Sequence, residues 1–167
     1  VSSHQVSRRW STALSTHAEL GIAINDRNED TFLDTPLKRD LVLRNEWKFR
    51  GDRGIRGEYT ISSVLMNRLA GQTSAYSDSN SPFDLLKPYL ENADSSFWAA
   101  ATKISRLEAS AKTGFVFPEQ SWKSIGSQFF ASTHKQEHKF GNRSYIGTED
   151  YFRGNLLFSS IIGNTDH

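Results

Sequence analysis

The segment richest in reactive side chains runs from Arg44 to Arg56, "RNEWKFRGDRGIR", where five basic residues surround Glu46 and Asp52. Trp47 and Phe49 lie between these charges. Such a mixture is typical of three kinds of surface: an acidic metal centre, a cationic grip on nucleic acid, or an ordinary solvated face. The number of carboxylates close to the cations decides between the first two.

A metal centre is the least favoured of the three. Hydrolysis of a phosphodiester by two Mg²⁺ ions needs several carboxylates converging within about 4 Å. Glu46 and Asp52 are separated by Lys48 and Arg50, whose positive charges compete with Mg²⁺ for the same oxygens. We therefore predict no catalytic residue, no bound metal and no cofactor.

The two histidines of "HKQEH", His134 and His138, are a second possible metal site. On a helix this spacing places both on one face, where they could hold zinc. The Glu that directly follows the first His in zinc proteases is missing, and no third ligand lies nearby. Two surface histidines are the favoured interpretation.

Cations interleaved with aromatic residues are typical of RNA-binding surfaces, which contact phosphates with basic side chains and stack bases on planar ones. We expect Trp47 and Phe49 to point into the core or an interface while the basic residues flank them. A solvated surface stays open as the alternative, since the net charge is only +1. The predicted RNA-binding residues form a first patch of Arg44, Lys48, Arg50, Arg53 and Arg56, and a second patch of Lys135, Lys139 and Arg143.

Length and composition favour one globular domain. The chain has 167 residues, of which 37% are hydrophobic and 12% aromatic, enough to build a core. No apolar run approaches the roughly 20 residues of a helical membrane span, so we expect a soluble or peripheral protein with no membrane partner. The absence of cysteine excludes disulfides, thiolate zinc sites and cysteine nucleophiles, and favours a reducing compartment.

Residues 1–24 differ in composition from the rest of the chain. They are rich in Arg, Ser and Thr, and the first acidic residue is Glu19. This composition predicts a processed extension, the remnant of an organelle-targeting segment, with a ragged polar terminus as the alternative. Residues 25–167 then form a single domain.

Apolar spacing along this domain predicts four or five helices. "LKRDLVLRNEWKF" fits a helical stripe in part and an alternating strand in part. With no confident strand, we predict an all-α domain. The predicted helices are "EYTISSVLMNRLAG" up to Gly71, "FDLLKPYLENA", "DSSFWAAATKISRLEASAKTG" up to Gly114, and "PEQSWKSIGSQFFAST".

Two segments resemble the signatures of the ribonuclease III family. "NEWKFRGD", Asn45–Asp52, is similar to the family's first signature, and "EYTISSVLMNRL" to the apolar helix that follows it. "NLLFSSIIGN", Asn155–Asn164, is similar to the second signature in register. The matching residues there are Phe158, Ile161, Ile162 and Gly163.

Departures from these signatures bear on activity. Glu46 and Asp52 match two of the family's metal-binding carboxylates, whereas Lys48, Leu156 and Ser159 stand at the other positions. The resemblance therefore implies a ribonuclease III-like helical fold without nuclease activity. Such inactive domains are found in the mitochondrial large ribosomal subunit, where they dimerise with a related domain and hold ribosomal RNA and neighbouring proteins.

From this resemblance we expect a non-catalytic structural protein of the mitochondrial ribosome. Its partners would be ribosomal RNA, other ribosomal proteins and a related ribonuclease III-like protein, in the mitochondrial matrix. Phe158, Ile161 and Ile162 would lie in the core or the dimer interface.

Two alternatives stay open. "WKFRGD" followed by "YTISSVLMNR" is similar to the W-x-F-R-G region of bacterial FRG domains, which implies an enzyme with nucleotide or ADP-ribose chemistry. The block that those domains carry further along has no counterpart here. A structural subunit of a virion or another large assembly is the other alternative.

Overall fold

Seven antiparallel strands form one sheet, in which each strand pairs with the next along the chain. The computed structural model describes residues 1–76, 83 and 97–161. A short 3₁₀ turn, Thr73–Ala75, follows the fourth strand. The strands are β1 (Ser2–Gln5), β2 (Trp10–Gly21), β3 (Leu37–Arg50), β4 (Ile55–Gly71), β5 (Ala99–Phe117), β6 (Gln120–Phe140) and β7 (Arg143–Ser159).

Most of these strands are unusually long. β6 has 21 residues and β5 has 19, whereas strands of globular proteins usually have about 3–10. The β3–β4 ladder runs without a register shift from Leu37 opposite Leu69 to Arg50 opposite Arg56. Long continuous ladders of this kind pair nearly every backbone group of the inner strands.

The two ends of the sheet differ in their connections. The short-turn end carries residues 6–9, 51–54 and 118–119, which join β1 to β2, β3 to β4 and β5 to β6. The other end, which we call the loop end, carries the longer connection 22–36 and the tight turn 141–142, and β4 ends and β5 begins there.

The β3–β4 turn shows why "RGDRG" does not continue a helix. Arg53 and Gly54 both have positive φ, 58° and 80°, and the Gly51 N–H donates to the Ile55 carbonyl at 2.9 Å. A Cβ on Gly54 would lie 2.6 Å from the carbonyl oxygen of Val116. Glycine is required here, both for its left-handed backbone and for this close approach.

The sheet has two chemically different faces. Side chains alternate between the faces along a strand, and residues directly opposite in a ladder share a face. The apolar face carries Trp10, Leu14, Leu41, Leu43, Trp47, Phe49, Tyr59, Ile61, Leu65, Leu107, Phe115, Ile125, Phe129, Phe152, Leu156 and Phe158. The polar face carries Arg44, Glu46, Lys48, Arg50, Arg56, Glu58, Arg106, Glu108, Lys112 and Arg153.

The buried core of the described residues is small and lies at the loop end. There the chain after β4 folds back on the sheet: the Tyr76 hydroxyl donates to the Ala70 carbonyl at 3.0 Å, and the Leu33 N–H to the Gly71 carbonyl at 2.9 Å. The buried core consists of Leu37, Leu69, Ala75, Tyr76, Phe83, Ala99 and Ala101.

The predicted all-α, ribonuclease III-like fold is wrong. The described residues contain no α-helix, and the predicted helices at 58–71, 94–114 and 118–133 lie largely in β4, β5 and β6. The helix predicted at 83–93 lies outside the described residues, apart from Phe83. Ile104 and Leu107, three residues apart, would share one face of a helix, but they lie on opposite faces of β5 because side chains alternate along a strand. Within the described residues, no helix is long and apolar enough to cross a bilayer.

Residues 1–24, predicted as a processed extension, include two strands of the sheet. β2 pairs with β3 along its whole length, from Trp10 opposite Phe49 to Gly21 opposite Lys38. β1 adds a short ladder of four residue pairs. This segment is thus integrated in the same sheet as the residues that follow.

Candidate functional site

A ladder of alternating charges crosses the polar face near the short-turn end. Lys48 Nζ lies 2.8 Å from a Glu46 carboxylate oxygen and 3.9 Å from one of Glu58. Arg44 reaches Glu46 at 3.3 Å, and Lys112 reaches Glu58 at 3.9 Å. Each carboxylate is thus held between two cations from the same or neighbouring strands.

These contacts fix the ionisation of the central pair. The hydrogen bond from Lys48, together with the charges of Lys48 and Arg44, lowers the pKa of Glu46, although partial burial acts in the opposite direction. The hydrogen bond to Glu46 and the charges of Glu46 and Glu58 raise the pKa of Lys48. Both groups therefore stay charged over a wide pH range, as structural ion pairs do.

Further ion pairs continue toward the loop end of the polar face. Arg106 lies 2.6 Å from Glu108, which also accepts a 3.0 Å hydrogen bond from the Ser62 hydroxyl. Arg68 lies 2.9 Å from the buried carboxylate of Asp40. Charge on this face is therefore largely compensated within the sheet.

At the short-turn end, a cavity that we call the basic hollow opens on the polar face. It has a volume of about 630 Å³, within the range of about 300–1,000 Å³ that is typical of small-molecule pockets. Its charged lining includes Arg8, Lys48, Arg50, Arg56, Lys112 and Glu58. Gln5 of β1 and Leu157 of β7 line it as well, so the sheet curves around the hollow.

Two arginines of the hollow lie side by side without a carboxylate partner. Arg50 and Arg56 are directly opposite in the β3–β4 ladder. Neither forms an ion pair with any residue that the structure describes. Arg9, which also lines the hollow, differs in that it pairs with Asp52.

Glycines make room in the floor of the hollow. Gly114 and Gly126 are opposite each other in the β5–β6 ladder, in the same lateral row as Arg56. A Cβ added to Gly114 would meet no atom within 4 Å. Neither glycine was predicted to lie at a site: Gly114 was expected to end a helix, and Gly126 lies within the next predicted helix. A glycine inside a strand often marks a close backbone approach, so this signal required the strands to be recognised first.

The first predicted RNA-binding patch is largely brought together by the fold. Arg44, Lys48, Arg50 and Arg56 share the polar face, and the last three line the hollow, while Arg53 lies in the β3–β4 turn. RNA binding by this patch stays a prediction.

The second patch lies at the other end of the sheet and is divided between the faces. Lys135 and Lys139 project on the same side as the apolar face, and Lys139 is buried. Arg143, at the start of β7, projects on the polar face. The structure therefore does not bring the two patches into one surface.

The aromatic residues of the first segment lie on the face opposite to the cations. Trp10 contacts Trp47, Phe49 and Tyr59, with ring centroids 6.3, 4.8 and 6.0 Å apart. We call these four residues the aromatic cluster; it lies at the short-turn end of the apolar face.

Of the three hydrophobic residues predicted in the core or a dimer interface near the end of the chain, two are described. Phe158 lies on the apolar face of β7 and is exposed, and Ile161, which follows β7, is also exposed. Ile162 lies outside the described residues.

Between the aromatic cluster and the loop end, the apolar face carries an uncharged band on β3 to β5. On β6 and β7, Lys135 and Asp150 project on the same face, opposite Ser105 and Thr133. No charged side chain projects on this face between Leu41 and Phe49 of β3, between Gly57 and Leu65 of β4, or between Ser105 and Phe115 of β5. We call this region the apolar band. Its side chains are largely exposed: Ile61 by 62%, Leu107 by 51% and Phe152, on β7, by 71%.

A row of polar and charged residues borders the apolar band on its loop-end side. Arg39, Asn67, Lys103 and Glu137 are neighbours across β3 to β6. Lys103 and Glu137 lie 3.8 Å apart. The band is thus limited by charges on one side and by the aromatic cluster on the other.

The histidines of "HKQEH" lie on the polar face of β6. His138 shares a 3.1 Å hydrogen bond with the Thr102 hydroxyl, and His134 lies opposite Arg106 in the ladder. Among the described residues, no three His, Asp or Glu side chains converge as metal ligands.

Comparisons of the chain with protein-family models, with curated proteins and with solved structures find no match. The site must therefore be interpreted from its own geometry.

Proposed function

We propose that this chain forms part of a membrane-embedded sheet, with the apolar band against lipid hydrocarbon and the polar face along a water-filled interior. The observation that carries the proposal is the inverted polarity of the sheet. Ile61 and Leu107 project outward and exposed, while the paired charges of Glu46, Lys48 and Glu58 line the curved inner face. An exposed apolar surface of this extent marks an interaction surface.

The length of the band supports lipid as the occupant. A strand that crosses a bilayer at a tilt of about 45° needs roughly 9–11 residues. The stretches Leu41–Phe49 of β3 and Ser105–Phe115 of β5, which carry no charged side chain on the apolar face, have 9 and 11 residues and match this requirement. The strands themselves are longer, so they would extend beyond the hydrocarbon layer.

Backbone pairing supports the same conclusion. Hydrocarbon offers no partner to a backbone N–H or C=O group, so a polypeptide in a membrane must pair these groups internally. The continuous ladders from β2 to β7 do this for the inner strands. The outer sides of β1 and β7 have no partner among the described strands, so the proposal implies further strands beside them.

The margins of the band fit an interface between lipid and water. Aromatic residues are enriched where membrane-spanning strands meet the headgroups, and such sheets carry short turns on one side and longer loops on the other. The aromatic cluster lies next to the short turns, and the charged row of Arg39, Lys103 and Glu137 lies toward the longer loops.

This proposal departs from the expectation of a soluble ribosomal protein. That expectation, with its ribosomal RNA, ribosomal-protein and dimer partners, rested on a helical fold that the described residues do not have. The geometry adds no support to it, nor to an FRG-type enzyme or a virion subunit.

The absence of cysteine permits a direct test by single-cysteine labelling. Ile61 and Ser62 are adjacent on β4 and project from opposite faces. Ile61→Cys and Ser62→Cys variants are refolded into phosphatidylcholine vesicles and labelled with an environment-sensitive fluorophore. We expect a blue-shifted emission at position 61 that lipids with a quencher on the acyl chain suppress, and a water-like emission at 62.

Two results of the labelling experiment would contradict the proposal. If the label at position 61 is shielded from water but untouched by the lipid quencher, a second protein layer covers the band and the membrane proposal fails. If both labels report water, nothing covers the band and the proposal fails as well.

A further inference from the structure

We propose that the basic hollow binds a small soluble anion that carries two linked phosphate groups. The first reason is the direct opposition of Arg50 and Arg56 in the β3–β4 ladder. Like charges at directly opposite positions destabilise a sheet. Since neither arginine has a carboxylate partner among the described residues, an anion between them would remove this repulsion.

The chemistry of the side chains selects phosphate. A guanidinium group offers several N–H donors in a planar fork that matches two phosphate oxygens, and such charge-assisted bonds are among the strongest in proteins. Arg50 and Arg56 would provide these forks. Lys48 and Lys112, in the next row across the sheet, add positive charge on either side of Glu58.

The hollow also has space for such a ligand. Gly114 and Gly126 leave the floor open beside Arg56, and nothing lies within 4 Å of a Cβ built on Gly114. Polar side chains, Ser11 and Gln128, line the wall and offer further hydrogen bonds. A volume of about 630 Å³ leaves room for a diphosphate-bearing small molecule.

This inference goes beyond the proposed function and does not depend on what covers the apolar band. The hollow opens on the opposite face of the sheet, at the short-turn end. Binding of the anion and insertion into lipid are therefore measured separately, and either can fail alone.

Inorganic pyrophosphate is the probe, titrated by isothermal calorimetry into the full chain folded in uncharged detergent micelles at an ionic strength of about 0.15 M, where the Debye length is about 8 Å. We expect binding at one site per chain. The double variant Arg50→Gln/Arg56→Gln should bind at least about tenfold more weakly, because two charge-assisted hydrogen-bonding groups are lost.

Two further variants separate a built site from general attraction between charges. Gly114→Leu fills the floor without changing the charge and, with open space around its Cβ, keeps the strand intact; we expect about tenfold weaker binding or more. Arg53→Gln removes the same charge from the adjacent turn, outside the lining, and should leave affinity within about twofold.

Three outcomes would overturn the inference: no binding of pyrophosphate, equal loss in Arg53→Gln and in Arg50→Gln/Arg56→Gln, or unchanged binding in Gly114→Leu. A lipid phosphate is distinguished by adding phosphatidylglycerol to the micelles in place of pyrophosphate. Saturable binding of that lipid alone would place the phosphate on a headgroup and contradict a soluble ligand. Tight binding of a short single-stranded RNA, unaffected by Gly114→Leu, would likewise contradict it.

Discussion

The two faces of β4 carry side chains of opposite polarity. Along β4, Tyr59, Ile61 and Leu65 project on one side, while Glu58 and Ser62 project on the other and join ion pairs or hydrogen bonds. An antiparallel sheet with one solvated face normally buries its apolar side. Here the apolar side is exposed and the charged side is curved inward, an inversion that the proposed contact with lipid would explain.

The apolar face itself is divided in the same way. Leu69 is 1% exposed, because the chain after β4 folds back over it, whereas Leu65, four residues earlier on the same face, is 42% exposed. The described part of the chain therefore buries its apolar side chains only at the loop end. Two leucines of one strand thus report two different environments.

The largest expected effect separates these two leucines. Leu69→Ala removes a fully buried side chain and should lower the free energy of unfolding by about 2–5 kcal/mol. Leu65→Ala should cost less than about 1 kcal/mol, because its side chain is already half exposed. Both variants are measured in uncharged detergent micelles by urea denaturation followed by circular dichroism. Equal losses at the two positions would show that one continuous core extends over both.

A charge placed on either face gives the next largest effect. Ile61→Arg puts a cation in the middle of the apolar band and should destabilise the protein in phosphatidylcholine vesicles by about 2–4 kcal/mol. Ser62→Arg adds the same charge on the polar face, beside Glu108, and should be nearly neutral. The measurement is the folded fraction in vesicles across a urea series.

Two results of the vesicle experiment would contradict the assignment of lipid to the apolar band. A polar face that packs against another apolar layer would make Ser62→Arg the costlier change. An apolar band in contact with water would make both changes nearly neutral. Either result removes the assignment of lipid to the band.

Part of this architecture could be read from the sequence. In β3 the alternation of Leu41, Leu43 and Trp47 with Arg44 and Lys48 has a period of two, and it separates the aromatic residues from the cations. Continuing that period to the glycines of "RGDRG" predicts a hairpin turn in place of an interrupted helix.

The strand conformation of β5 was harder to predict from the sequence. β5 is rich in alanine, which favours helices in isolation, and both of its faces carry apolar residues such as Ile104 and Leu107. Its strand conformation is stabilised by ladders to β4 and β6, contacts between residues far apart in the chain. Local spacing carries no information on such pairing, so tertiary context overrides it.

The basic hollow could not be predicted from the sequence for the same reason. The sequence places Lys48 and Arg50 on one face of a strand, but Lys112 and Gly114 reach the hollow only through the β4–β5 register. A register is a property of two strands and cannot be deduced from one of them. The apolar band was not predicted because its apolar residues alternate with polar ones along each strand, and a search for continuous apolar runs does not detect this pattern.

The smallest expected effect tests the ion-pair ladder of the polar face through pH. The pKa of Glu46 is lowered in the folded protein, mainly by the hydrogen bond from Lys48, so its contribution to stability is present above about pH 4.5 and is lost as the pH falls through the folded-state pKa. Glu46→Gln should therefore lower the urea midpoint slightly at pH 7, and this difference should disappear as the pH falls through the folded-state pKa, because both side chains are then neutral. Glu119→Gln, in the β5–β6 turn and without an ion pair to any described residue, is the matched control and should behave as the wild type at every pH. A difference between Glu46→Gln and the wild type that does not shrink as the pH falls would mean that this carboxyl stabilises the sheet by packing, and the polar face would then resemble the loop-end core more than a solvated wall.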